Sequence, residues 1–100
     1  MATVVETGQA KEDLRGILRY LRRHSRPAAR RLAREVVARY AHLASSPRFG
    51  RARPELGEDV RSTVVGDYLV IYHATDEVVT IIRILHGARN IEALMRDTDW

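Results

Sequence analysis

Apolar positions along this chain recur with a helical period in the first half and with a period of two in the second. Thr3 to Glu6 is a short β-prone stretch, closed by Thr7-Gly8. From Gln9 the spacing changes: Leu14, Ile17, Leu18 and Leu21 fall at i, i+3, i+4 and i+7, the stripe of an amphipathic helix. Arg15, Arg19, Arg22 and Arg23 take its other faces. Thr7 is placed to cap this helix, and Glu12 and Asp13 fall early enough to favour its dipole. His24-Ser25-Arg26-Pro27 breaks the pattern. Ser25 suits the cap of a second helix and Pro27 its first turn, where a missing N–H is no loss. That helix is expected to reach about Ala44, with Ala29, Leu32, Val36, Tyr40 and Leu43 on one face.

Ser45 to Gly57 is dense in turn residues: Ser46-Pro47, Phe49-Gly50, Arg53-Pro54 and Leu56-Gly57. Three strand signals follow, Val60 to Val65, Tyr68 to Ala74 and Val78 to Leu85. Gly66-Asp67 and Thr75-Asp76-Glu77 separate them, so they form an antiparallel meander. The third carries Val and Ile on both faces and is therefore central or covered. His86-Gly87 ends it, and Ala88 to Asp97 is expected to close the chain as a short helix. Two helices joined by so short a break fold back as an αα-hairpin, and neither can bury its stripe alone. The expected fold is an α+β two-layer domain over residues 1–100. It has an N-terminal strand, an αα-hairpin packed on an antiparallel sheet in the order β-α-α-β-β-β, and a short C-terminal helix.

Composition narrows the chemistry. With 100 residues, 45% apolar and 30% charged, the chain supports one soluble core. It has no cysteine, which excludes disulfides, thiolate metal sites and a cysteine nucleophile. It shows neither a signal-peptide pattern nor an eighteen-residue apolar run, so a cytoplasmic protein without membrane contact is expected. His24, His42, His73 and His86 have no metal-ligand spacing, and no cofactor is expected.

Charge is the more telling feature. Residues 1–53 carry 13 Lys/Arg against 4 Asp/Glu, whereas residues 54–100 carry 4 against 9. Lys11 is the sole lysine beside sixteen arginines. Such a bias follows from a GC-rich genome or from an anionic partner, either nucleic acid or an acidic protein.

The segment Arg61-Ser62-Thr63-Val64-Val65-Gly66-Asp67-Tyr68-Leu69-Val70-Ile71-Tyr72 resembles the middle strands of ParE-like toxins. Val79 to Arg89 resembles their last strand and its exit, Ser46 to Arg51 the loop after their second helix, and Ala10 to Leu14 the start of their first. Four pieces in family order, over nearly the whole chain, identify it as similar to ParE-type toxins of the ParE/RelE superfamily. The resemblance implies the toxin of a type II toxin–antitoxin pair, held by a ParD-type antitoxin in a heterotetramer or higher complex. It also implies DNA gyrase as a target poisoned by stabilised cleavage complexes, and contact with operator DNA only through the antitoxin. The superfamily's RelE-like branch instead cleaves messenger RNA on the ribosome. A third reading is an inactive toxin that serves only as an antitoxin-binding co-repressor.

RNA cleavage requires groups that activate a 2′-OH, stabilise a crowded phosphate and protonate the leaving oxygen. RelE-like toxins supply these with lysines, arginines and usually a C-terminal tyrosine. Arg48 to Asp59 contains no lysine, and nothing after Gly87 is a tyrosine. A nuclease reading is left with Arg61, Arg83 and His86; the binding reading carries no catalytic residue. Arg83, by strict alternation, shares a face with Val79, Ile81 and Leu85. Its guanidinium must meet a carboxylate, a carbonyl or solvent, with Glu6 or an acid of the meander as the structural partner. Candidate target contacts are Arg61, Tyr68, Arg83, His86, Arg89 and Trp100. Tyr68 and Tyr72 share a strand face, and Trp100 stands at the terminus as a free aromatic. The helices hold more apolar positions than one face needs, Tyr20 and Val37 among them. The surplus suggests a seat for an amphipathic antitoxin segment, with Leu14, Leu18, Leu21, Val37 and Tyr40 as contacts and Arg34 pairing with its acids. Arg30, Arg31, Arg34 and Arg39 otherwise read as a solvated helix face.

Overall fold

A computed structural model describes residues 1–87, 90–98 and 100. The elements are β1 (Thr3–Glu6), α1 (Gly8–His24), α2 (Arg26–Ser45), β2 (Arg51–Ala52), a 3-10 turn (Pro54–Leu56), β3 (Val60–Val65), β4 (Tyr68–Ala74), β5 (Val78–His86) and α3 (Ile91–Arg96). The expected α+β order is present. Two additions fall in the turn-rich segment after α2: the two-residue strand β2 and the 3-10 turn, both too short to leave a period. The expected closing helix is confined to Ile91–Arg96, with Asn90 as its cap; Ala88 and Arg89 lie outside the described residues.

Both helix caps form as the sequence indicates. The Thr7 hydroxyl accepts from the N–H of Ala10, and that of Ser25 accepts from Ala28. Pro27 occupies the first turn of α2. Glu12 and Asp13, however, lie beyond the first turn of α1, which holds no acid, so Asp13 is left for another purpose.

The sheet runs β1-β5-β4-β3-β2. The meander β3-β4-β5 is antiparallel, and the β3–β4 turn places Gly66 at φ +60 at its first position, a left-handed conformation that favours glycine. The N-terminal strand departs from the expected pattern by pairing parallel to β5, Thr3 with Val78 through Glu6 with Ile81. The connection between them, residues 7–77, holds the helical hairpin and the earlier strands of the sheet and is ample for the crossover that a parallel pair needs. β5 is thus flanked on both sides, as its apolar character required.

α1 and α2 cover one face of the sheet. Leu32, Val36 and Leu43 pack with Val70, Tyr72, Val79, Ile81 and Ile84, and Leu14, Ile17, Leu18 and Leu21 close over them. On the opposite face α3 brings Ile91, Leu94 and Met95 against Ile71, Ile82 and Leu85. The domain is therefore two layers with a partial third. Among the described residues no buried side-chain polar atom lacks a hydrogen-bond partner. No described helix is long and apolar enough to cross a membrane.

Candidate functional site

β1 ends opposite Ile81, but β5 continues to His86, so the last residues of β5 present an unpaired edge. The start of α1 satisfies that edge. Thr7 donates its N–H to the Ile81 carbonyl and its hydroxyl to the Ile82 carbonyl, while Asp13 Oδ2 accepts from the N–H of Ile84 at 3.1 Å. The same carboxylate receives Arg83 twice, from Nε at 2.8 Å and Nη2 at 3.0 Å. Arg83 Nη1 donates to the Thr98 hydroxyl at 2.8 Å, and Thr98 in turn donates to the Leu94 carbonyl. A single guanidinium thereby ties α1, β5 and the segment after α3. With side chains only 13% and 10% exposed, Arg83 and Asp13 form a nearly buried, bidentate pair.

This corrects two expectations about Arg83. Its partner is Asp13, because Glu6 is engaged by the Tyr40 hydroxyl at 2.7 Å. It also does not share the face of Val79 and Ile81. The register steps from Tyr72 opposite Ile81 to Ile71 opposite Arg83, which leaves Ile82 as the extra residue of a β-bulge. One inserted residue inverts the alternation beyond it and puts Arg83 on the face of Ile71 and Leu85, the one that α3 covers.

Beside this tie lies an open cleft of about 690 Å³ between α1 and the end of β5. Ile17 and Leu21 form part of its apolar wall, and Glu12, Asp67, Tyr20, Tyr68 and His86 supply its polar groups. Tyr68 stands opposite His86 in the β4–β5 register, their rings edge to face at 5.7 Å. Burial, reinforced by the Asp67 charge, raises the Tyr68 phenol above its usual range. Tyr20 leans on His24 with ring centroids 4.5 Å apart and is 58% exposed. Of the candidate target contacts, the fold brings Tyr68, Arg83 and His86 into this cleft.

Arg61 and Trp100 go elsewhere. Arg61 faces Tyr72 in register and donates to the Gly50 carbonyl at 2.8 Å and the Arg48 carbonyl at 3.3 Å. The Gly50 N–H donates to the buried Tyr72 hydroxyl at 2.8 Å. Together these bonds pin the loop after α2, which gives Arg61 a structural role. Burial raises the Tyr72 phenol, against the opposing pull of the Gly50 N–H and of Arg61 and Arg39. Trp100 is not free: it stacks tilted on His73, with centroids 5.4 Å apart and half its surface covered. Arg89 lies outside the described residues.

The expected antitoxin contacts divide in the same way. Leu14, Leu18, Leu21 and Tyr40 pack against the core, and the Tyr40 phenol is raised first by burial and then by Glu6. Val37 is 68% exposed and, with Ala33, Arg34 and Ala38, forms an apolar dish on the outer face of α2. Ala33 also borders a groove between the helices that is floored by Leu18 and Ala29 and rimmed by Arg22, Arg26 and Arg30. Arg39 departs from the expected solvated face: it donates to the Thr63 hydroxyl and the Val64 carbonyl and lies 5.2 Å over the Phe49 ring. Among the described residues no cluster of His, Asp or Glu is arranged to hold a metal ion.

Sequence alone did not reveal the roles of Asp13, Thr98 and Gly50, and it offered Glu6 to Arg83 where the fold gives it to Tyr40. Asp13 had left a signal, a carboxylate abutting the apolar stripe at Leu14. Pairing it with a cation seventy residues away needed the bulge, which no period reveals.

A small two-layer domain with a helical hairpin over one face of a meander defines a fold class shared with known toxins. The structure is similar to a chain of the chromosomal ParDE TA system from P. aeruginosa, with a TM-score of 0.68 and 20% identity over 86% of this chain and 96% of that one. Residues 4–91 match the family described as ParE toxin of type II toxin-antitoxin system, parDE. The chain is also 40% identical over 90 residues to Toxin RelE2 of Caulobacter vibrioides, covering 89% of this chain and 99% of the relative. The protein belongs to the ParE toxin family of type II toxin–antitoxin systems.

Proposed function

We propose that this toxin poisons DNA gyrase by binding and stabilising its cleavage complexes, and that a ParD-type antitoxin neutralises it. The observation that carries this reading is the fate of Arg61, Arg83 and His86. Arg61 is spent on loop carbonyls, and Arg83 gives three donors to Asp13 and Thr98, while His86 stands beside Tyr68. A nuclease requires such groups to converge on one phosphate with donors to spare. Here Arg61 lies outside the cleft that Arg83 and His86 border. A cleft with an apolar wall and an exposed aromatic suits a protein partner.

The dish around Val37 and the adjoining arginine-rimmed groove support an amphipathic antitoxin segment laid along α2, its apolar residues on Ala33, Val37 and Ala38 and its acids at Arg34. The decisive experiment induces the toxin and measures gyrase supercoiling and trapped cleavage complexes beside mRNA integrity in polysomes. Trapped complexes with intact mRNA are expected. Fragmented mRNA with normal supercoiling would overturn the gyrase reading in favour of the RNA-cleaving branch, and neither effect would leave the co-repressor.

A further inference from the structure

Residues 15–34 carry eight arginines and no aspartate or glutamate. The segment spans most of α1, the Ser25 break and the first half of α2, so the fold gathers its charge at the closed end of the αα-hairpin. All eight, Arg15, Arg19, Arg22, Arg23, Arg26, Arg30, Arg31 and Arg34, are exposed. The ion pairs among the described residues are Arg48–Asp76, Arg53–Glu55 and Arg83–Asp13, so none of the eight meets a carboxylate. Arg26, Arg30 and Arg34 recur every fourth residue, one above another on α2, and Arg22 of α1 meets Arg26 and Arg30 across the groove. Like charges one turn apart repel, and an anion relieves that repulsion.

From this we infer that the closed end of the hairpin binds the sugar–phosphate backbone of duplex DNA directly, in addition to any contact made through an antitoxin. Three features favour phosphate over an acidic protein. From Arg19 to Arg34 no acidic residue interrupts the sequence, and a row of guanidinium groups one turn apart calls for anions at equally close and regular spacing, which a phosphate backbone supplies. Every cation is a guanidinium, whose planar fork takes phosphate oxygens in pairs. The row from Arg26 to Arg34 is about 12 Å long, the axial span of three to four phosphates on one strand. Such contacts hold DNA without reading its sequence, as a protein acting on a gyrase–DNA complex would require. The row ends at Arg34 beside the Val37 dish, so DNA and an antitoxin segment seated there exclude one another.

The test titrates the purified toxin into a fluorescent duplex of arbitrary sequence and follows anisotropy at several salt concentrations. Contact with about four phosphates gives a log–log salt slope near −3.6, hence a loss of roughly a hundredfold in affinity between 50 and 200 mM salt. The triple variant Arg22→Gln, Arg26→Gln, Arg30→Gln should flatten the slope by about 2.7, and the corresponding triple Lys variant should restore it. Absence of binding at 50 mM salt, or a slope that the Gln variant leaves unchanged, overturns the inference. So does a poly-glutamate peptide that binds tighter than the duplex, which would assign the surface to an acidic protein. The assay contains no gyrase, so its failure and the failure of the gyrase reading are distinguishable.

Discussion

Arg83 and the arginines of the hairpin's closed end place the same side chain in opposite settings. Arg83 is nearly enclosed; three of its five N–H donors go to Asp13 and Thr98, and it holds three parts of the chain together. The eight arginines between positions 15 and 34 are exposed and unpaired among the described residues. A guanidinium with its donors satisfied internally is architecture, whereas one left with all of them in water is available to a partner. Arg61 and Arg39 fall on the internal side, since both spend donors on backbone carbonyls. Arginine content alone separates none of these cases.

The largest effect is expected where the pair is broken from within. Asp13→Ala leaves the Arg83 charge in a nearly closed site and frees the N–H of Ile84, so a loss of about 3–5 kcal/mol should appear in urea unfolding. Replacing both partners with leucine should recover much of that loss, because no uncompensated charge remains. If Asp13→Ala unfolds at the same urea concentration as the parent, the pair does not tie α1 to the sheet.

Next in size is the loop that Arg61 pins. A Cβ on Gly50 would sit 2.6 Å from the Tyr72 hydroxyl and 2.7 Å from the Ser62 carbonyl. Gly50→Ala should therefore cost roughly 1–3 kcal/mol, with the loop displaced from Tyr72. Thermal unfolding measures the cost, and the fluorescence of the buried tyrosine reports the displacement.

A smaller effect should appear in alkali. Folding raises the Tyr40 phenol above its ordinary value of about 10, first through burial and then through Glu6. A group whose pKa is raised in the folded state contributes stability that is complete below its unfolded pKa and is lost as pH rises above it. Stability should thus fall above about pH 10, and Tyr40→Phe should make that fall shallower while costing about 1 kcal/mol at neutral pH for the lost bond to Glu6. Denaturant midpoints at pH 7 and pH 11 compare the two; an equal fall in parent and variant would show that Tyr40 ionises as freely folded as unfolded.

The elements that sequence exposed most clearly were those whose signal is local. Leu14 to Leu21 marked α1, Ser25-Arg26-Pro27 marked the hairpin break, and Gly66-Asp67 marked the β3–β4 turn; all three are where the pattern placed them. What escaped depends on contacts distant in sequence. Parallel pairing of β1 with β5 leaves no trace in a four-residue strand. The bulge at Ile82 reverses a face without altering residue types, and Arg83 was consequently assigned to the wrong side. Arg61, Arg83, Tyr68, His86 and Trp100 look alike as candidates in the sequence, and only the fold separates those at the cleft from those that brace a loop or cover the sheet.

The comparison is sharpest where the expected stability effect vanishes. Arg22, Arg26 and Arg30 touch no carboxylate among the described residues, and their aliphatic stems border only a shallow groove. Exposed substitutions of this kind move stability by no more than about 0.5 kcal/mol each, and the relief of like-charge repulsion should offset part of any loss. The triple Gln variant should therefore unfold at the parent's urea concentration while losing DNA binding, the converse of Asp13→Ala, which should lose stability first. A clear destabilisation of the triple variant would mean that these arginines brace the hairpin as Arg83 braces the sheet, and that the contrast between the two regions is one of degree.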